Sequence, residues 1–184
     1  MTRLVVLAGP TAVGKGTLVR ALRERSPDIW VSVSATTRSP RPGEVDGVDY
    51  HFVSDDDFTH MIERGELLEW ATVHGTHRYG TPRTPVDNAL AAGKPSLLEI
   101  DLQGARQVKA SMPEALYVFI EPPSMDELVR RLVGRGTEDD LERERRLRTA
   151  ETEMAASKEF DRIIINDDLD TAVSQLEALV LDAR

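Results

Sequence analysis

The run Gly9, Pro10, Thr11, Ala12, Val13, Gly14, Lys15, Gly16 and Thr17 sets a lysine directly behind a glycine, with four residues between that glycine and an earlier one. Glycines let a short loop turn its backbone N–H groups toward one point, and a helix starting there adds partial positive charge. Lys15 contributes a full charge. Such a loop suits the β- and γ-phosphates of a nucleoside triphosphate. The hydroxyl that usually follows the lysine comes one place later, at Thr17 behind Gly16, so contact with a metal ion could be direct or through water.

Other residues have chemistry to offer. Arg38 and Arg41 are three apart and interleaved with Pro40 and Pro42. The prolines exclude helix and stiffen the arm, and an arginine fork grips a phosphate at two points. A solvated charge pair on a loop is the plainer alternative. Glu69 stands in the apolar stretch 67–71, where an unpaired carboxylate is costly, so a partner is expected. A solvent-facing strand position is the other reading. Asp101 closes the apolar run 96–100, at the strand tip where open α/β sheets bind ligands. His74 and His77 lie three apart on a turn without a third ligand, which argues against zinc.

The elements that must hold these residues follow from periodicity and breakers. Residues 4–8 read as a buried strand and Lys15–Arg25 as an amphipathic helix closed by Pro27. Residues 30–34 alternate at period two, a strand with Ser34 at its tip. Asp46-Gly47 is a hairpin-type turn, with Tyr50 to Val53 returning as a strand. Ser54 and Asp57 form a capping box for a short helix stopped by Gly65. A strand over 66–71 and a turn-rich return from His74 to Pro82 complete a β-rich insertion. The core then resumes with a helix at 85–92, a strand at 96–100, a helix at 104–111 and a strand at 115–120. Ser124 and Glu127 cap the next helix. Thr137 and Asp140 cap a long charged helix to about Ser157, whose thin apolar stripe predicts a moving element. A strand at 162–165 and a final helix end the chain. Strands alternating with helices predict an α/β fold, a parallel sheet flanked by helices on both faces.

Composition sets the outer bounds. A chain of 184 residues fits one domain with small inserted parts, and its net charge of −9 disfavours a nucleic-acid polymer or an anionic membrane as partner. With no cysteine, disulfides and thiolate metal sites are excluded. The absence of a long apolar run or leader points to a cytoplasmic protein.

The Gly-Lys-Gly-Thr form resembles the loop of nucleoside monophosphate kinases, and the chain as a whole resembles bacterial guanylate kinases. The matching pieces are residues 9–17, 34–44, 47–52, 65–70, 79–81, 100–104, 135–138, Arg146-Leu147 and 165–167, in one order and at family spacing. The resemblance implies a P-loop core with a five-stranded parallel sheet (1–34, 83–125 and 158–184), a GMP-binding insertion (35–82) and a helical lid (126–157). It implies the reaction ATP + GMP → ADP + GDP with Mg²⁺, by a monomer or homodimer, with dGMP as an alternative acceptor. By the same resemblance residues 9–17, Arg135 and Asn166 contact ATP. Ser34, Arg38, Arg41, Glu44, Tyr50, Glu69, Tyr79, Thr81 and Asp101 contact GMP. The arginines and tyrosines of that set meet its phosphate, while Glu69, Ser34 and Thr81 read guanine, whose N1–H and N2–H₂ donate and whose O6 accepts. Asp101 and Thr17 are the candidate Mg²⁺ contacts, through water. Lys15, Arg38, Arg135 and Arg146 are the expected catalytic cations, and Arg131 is placed to join them. Structural alternatives stand beside these roles: strand tyrosines for Tyr50 and Tyr79, a turn asparagine for Asn166, and i,i+4 surface pairs for the lid arginines. Two rival readings remain, a related small-phosphate kinase and a guanylate-kinase-like module that binds phosphorylated peptide.

Overall fold

Strand β1 (Leu4–Ala8) consists of five apolar residues, all buried. That is the signature of a central strand covered on both faces. The structure, a computed structural model, describes residues 3–73, 75–133 and 140–183, the side chains at 133, 140–143 and 146 excepted. After β1 the chain turns at Gly9 and enters α1 (Lys15–Arg25), whose Leu18, Val19 and Leu22 pack inward.

β2 (Trp30–Val31) is shorter than its pattern predicts. Ser32 N–H still donates to Leu97 O (3.0 Å). The alternation then continues, but the chain leaves the first sheet and enters a second one as β3 (Ala35–Thr36). A single periodic run is therefore divided between two sheets, and Ser34 sits in the crossing. β4 (His51–Phe52) pairs with β3 in parallel. The expected hairpin at Asp46-Gly47 is thus corrected: that turn is local, closed by Gly47 N–H to Tyr50 O (2.8 Å), and the 37–50 arm is an excursion between parallel partners.

α2 (Asp55–Glu63) opens with Ser54 Oγ accepting from Asp57 N–H (3.0 Å). The hydroxyl in turn donates to the Asp57 carboxylate (2.6 Å). β5 (Leu67–Val73) and β6 (His77–Pro82) are antiparallel and complete a four-stranded sheet of order β4-β3-β6-β5. Then come α3 (Arg83–Ala91), β7 (Ser96–Glu99), α4 (Leu102–Ser111), β8 (Leu116–Glu121), α5 (Met125–Val133), α6 (Asp140–Ala155), β9 (Arg162–Ile165) and α7 (Leu169–Asp182). α4 begins two residues earlier than its pattern predicts, because Asp101 caps it by accepting from Gly104 N–H (2.7 Å). The expected caps at Thr137 and Asp140 lie outside the described residues and side chains.

The main sheet has the order β2-β7-β1-β8-β9, with every pair parallel. One face carries Val5, Leu7, Val118, Ile120 and Ile164 against α1, α5 and α7. The other carries Leu4, Val6, Leu98 and Tyr117 against α3 and α4, with Leu68 of β5 joining them. Coverage ends at β9, where Ile164 is buried but Ile163 and Ile165 are 50% and 54% exposed. No helix among the described residues is long and apolar enough to cross a membrane.

Candidate active site

The loop after β1 is shaped by two left-handed residues, Ala12 (φ 66) and Gly14 (φ 98). Gly14 is the N-cap of α1, so the loop ends on a helix N-terminus with its free N–H groups. A Cβ at Gly14 would lie 2.8 Å from Asn166 Nδ2, so crowding as well as φ requires glycine. Lys15 Nζ folds back over the loop and donates to Gly9 O (2.6 Å) and Pro10 O (3.1 Å). Burial pulls its ammonium below the usual lysine range, against the charges of Glu99, Glu153 and Asp101. The Glu99 carboxyl is pushed up by burial and drawn back by Lys15 and Arg23. From α6, Glu153 reaches Thr11 N–H with Oε2 (3.0 Å). A carboxylate oxygen thereby occupies one of the loop's amide donors, as an anionic ligand oxygen would.

Two side chains brace the loop from behind. Asn166, buried after β9, donates Nδ2 to Val13 O (2.8 Å). Arg131 donates Nη1 to the same carbonyl (3.2 Å) while its Nε holds Glu127 (3.0 Å). The Asn166 bond is a role that a position after the last strand does not disclose.

On the 37–50 arm, Arg38 is held on several sides. It forms a two-point pair with Glu44 (2.9 Å at each contact), donates Nε to Tyr79 Oη (3.1 Å) and donates Nη1 to Ser39 O (2.7 Å). Its guanidinium stands 5.3 Å from the Tyr50 ring centroid, and Tyr50 and Tyr79 meet edge to face at 5.9 Å. The bonds to Glu44 raise the Arg38 pKa still further and hold Glu44 below the usual carboxyl range. Glu44 also accepts Arg41 N–H (2.7 Å). It is therefore the organiser of the arm, a part the sequence did not single out. Burial raises the Tyr50 pKa.

Glu69 is 5% exposed and accepts the Thr81 hydroxyl proton on Oε1 (2.6 Å). Burial pushes its carboxyl up to about 7, with the Asp101 charge adding to the rise and the Thr81 bond opposing it. The partner expected for a carboxylate in that apolar stretch is thus in part Thr81. Because Thr81 directs its proton to Glu69, it bears on the site through that carboxylate.

A cavity of about 550 Å³ joins these pieces. Its lining includes Lys15, Gly16 and Glu99 together with Ser34, Arg38, Arg41, Glu44, Tyr50, Tyr79, Glu69 and Asp101. Arg135 lies outside the described residues, as does the side chain of Arg146, and His74 is likewise outside them. The described residues contain no group of three His, Cys, Asp or Glu side chains that could hold a metal ion.

Comparison with known proteins bears on this arrangement. A family model described as guanylate kinase matches residues 1–183. The guanylate kinase of Leifsonia xyli subsp. xyli is 60% identical over 178 residues, covering 97% of this chain and 70% of that protein. That of Nocardia farcinica is 61% identical over 183 residues, covering 99% and 95%. Among solved structures, guanylate kinase from Anaplasma phagocytophilum superposes with a TM-score of 0.80 at 33% identity, covering 98% of this chain and 85% of that one. A shikimate kinase from Bacteroides thetaiotaomicron, at 18% identity and a TM-score of 0.52, shares the fold.

Proposed function

The chain belongs to the guanylate kinase family and transfers the ATP γ-phosphate to GMP, giving ADP and GDP; we propose that the cavity between the glycine loop and the arginine arm is where the two nucleotides meet. The observation that carries this reading is the shared lining. The loop lysine, the two arginines, the two tyrosines and the buried carboxylate all line one continuous space. In this assignment residues 9–17 cradle the ATP phosphates and Asn166 lies toward the adenine. Arg38, Arg41, Tyr50 and Tyr79 receive the GMP phosphate. Glu69, with Ser34 and Asp101, receives the guanine. The main sheet with α1, α3, α4 and α7 forms a core, 35–82 the acceptor unit, and 126–157 a lid rooted in that core through Leu128, Leu132 and Ala150, whose Arg135 and Arg146 meet the transferring group.

The nucleophile is a phosphate oxygen of GMP, largely ionised near neutral pH, so no general base is needed. The barrier lies in bringing two polyanions together and in stabilising charge on the group in flight. Lys15 leaves its loop carbonyls and turns to the β- and γ-oxygens. Arg38 and Arg41 neutralise the acceptor so that its oxygen can approach in line. Closure over the site excludes water, which would otherwise take the phosphoryl group.

The donor set fits Mg²⁺. A hard ion that keeps several waters and binds mainly phosphate needs only one or two protein oxygens. Asp101 supplies a carboxylate whose Oδ1 accepts Gly104 N–H, and Thr17 supplies a hydroxyl. When bound, the ion neutralises charge on the phosphate oxygens. The test of the whole reading is a coupled ADP-release assay with GMP, AMP, dTMP and UMP in parallel. Turnover with GMP alone is expected, and equal turnover with AMP would sink it. ADP release from none of the four, with ATP still bound, would favour the peptide-binding module.

A further inference from the structure

We propose that Gly104 and Gln107, one turn apart on α4, are positioning residues that fix where Glu69 presents its carboxylate to the guanine of GMP. The proposal rests on the reading of Glu69 as the base-reading group. Glu69 lies on β5, an outer strand of its sheet with β6 on one side only. The ladder register slips between Leu67 and Glu69, and three consecutive residues, Leu67, Leu68 and Glu69, are buried. An irregularity of this kind re-aims a side chain and leaves its direction weakly fixed by the ladder itself.

The open side of β5 faces α4. There Gln107 Oε1 accepts Trp70 N–H (3.1 Å) and Gln107 Nε2 donates to Trp70 O (2.6 Å). A side-chain amide thus pairs with the main chain as a neighbouring strand would, at the residue next to Glu69. One turn earlier stands Gly104, inside a helix and without a positive φ. No backbone requirement explains it, and a glycine there costs ~1 kcal/mol of helix stability relative to alanine. The space around it does explain it. A Cβ would lie 2.9 Å from Glu69 Cδ, closer still to Glu69 Oε2, and 3.3 Å from Asp101 Oδ1. The Glu69 carboxylate therefore rests directly on the first turn of α4, with Thr81 holding its other oxygen. A methyl group at 104 is accommodated by swinging the carboxylate away, which harms recognition more than folding.

The test compares GMP with IMP, which lacks the 2-amino donors, as acceptors for the intact enzyme with ATP. G104A is expected to lower the GMP/IMP ratio of kcat/KM by ~10-fold, and Q107L, which leaves the helix intact, by ~3-fold, as for lost or misplaced hydrogen bonds to a substrate. The KM for ATP should stay within about twofold in both, because the triphosphate loop is untouched. In an E69Q background G104A should add nothing, since coupled sites are non-additive. A merely structural glycine would keep its full cost there. An unchanged ratio in E69Q itself overturns the base-reading assignment. A collapsed ratio in E69Q with wild-type ratios in G104A and Q107L overturns the socket. If G104A fails to fold, Q107L decides alone.

Discussion

The glycine loop and the arginine arm offer a phosphate different kinds of donor. In the loop, proposed for ATP, the donors are main-chain N–H groups, fixed by the left-handed residues Ala12 and Gly14 and by two braces on Val13 O. On the arm and the strands beside it, proposed for GMP, the groups are side chains held by partners: the donor Arg38 by Glu44 and Tyr79, the acceptor Glu69 by Thr81. A backbone cradle is rigid and indifferent to what the phosphate is attached to. A side-chain site needs partners to hold its shape, and those partners can be tuned to one base. The contrast matches the division of labour between a common phosphoryl donor and a discriminated acceptor.

The largest break is at the cradle. Lys15→Ala should lower kcat by ~10²–10³-fold or more, the scale for losing a transition-state cation, while the melting curve stays near that of the parent. Steady-state kinetics beside thermal denaturation measure both. Glu69→Gln comes next: it turns an acceptor toward the guanine N–H groups into a partial donor and should cost ~10²-fold in kcat/KM for GMP with little change for ATP. Equal losses for both nucleotides would show that Glu69 does not read the base.

The same carboxyl gives a pH signature. Burial raises it to about 7, and the ionised form is the one able to accept two N–H groups. Efficiency toward GMP should therefore fall as pH drops through about 7. In Glu69→Gln that limb should vanish, leaving only the ionisation of the GMP phosphate itself near ~6. Glu44→Gln should raise the KM for GMP by ~3–10-fold, because Arg38 and the Arg41 amide lose a shared anchor. An unchanged KM would mean that the arm is ordered without it. The smallest effect, of opposite sign, is at Glu153. Its carboxylate competes for Thr11 N–H, so Glu153→Gln should tighten ATP binding by about 2–5-fold in calorimetry.

What the sequence discloses follows the same contrast. The glycine loop, the bounds of α1 and β9, and the cap at Ser54 are local patterns, set by residues within one or two turns, and the structure places them as read. The division of 30–36 between two sheets is not local. Its alternation is unbroken, and only the pairing of Ser32 with Leu97 and of Ala35 with His51 marks the switch. A turn signal at Asp46-Gly47 suggests antiparallel strands because such turns usually join them. Here β4 returns on the far side of β3 in the parallel sense. The pairing of Glu69 with Thr81 is legible only as an expectation that a carboxylate in an apolar stretch finds a partner, and that of Arg38 with Glu44 only once the arm is folded. Glu153 beside Thr11, and Gly104 beneath Glu69, depend on packing between distant segments and leave no trace in spacing.

The shared carbonyl of Val13 has a mechanical consequence. Two independent donors converge on it, one fixed in the wall behind β9 and one on a long, jointed side chain from α5. The loop therefore keeps its anchor at Asn166 even where Arg131 lets the carbonyl go. A loop tethered twice at one atom keeps its curvature through the loss of either tether.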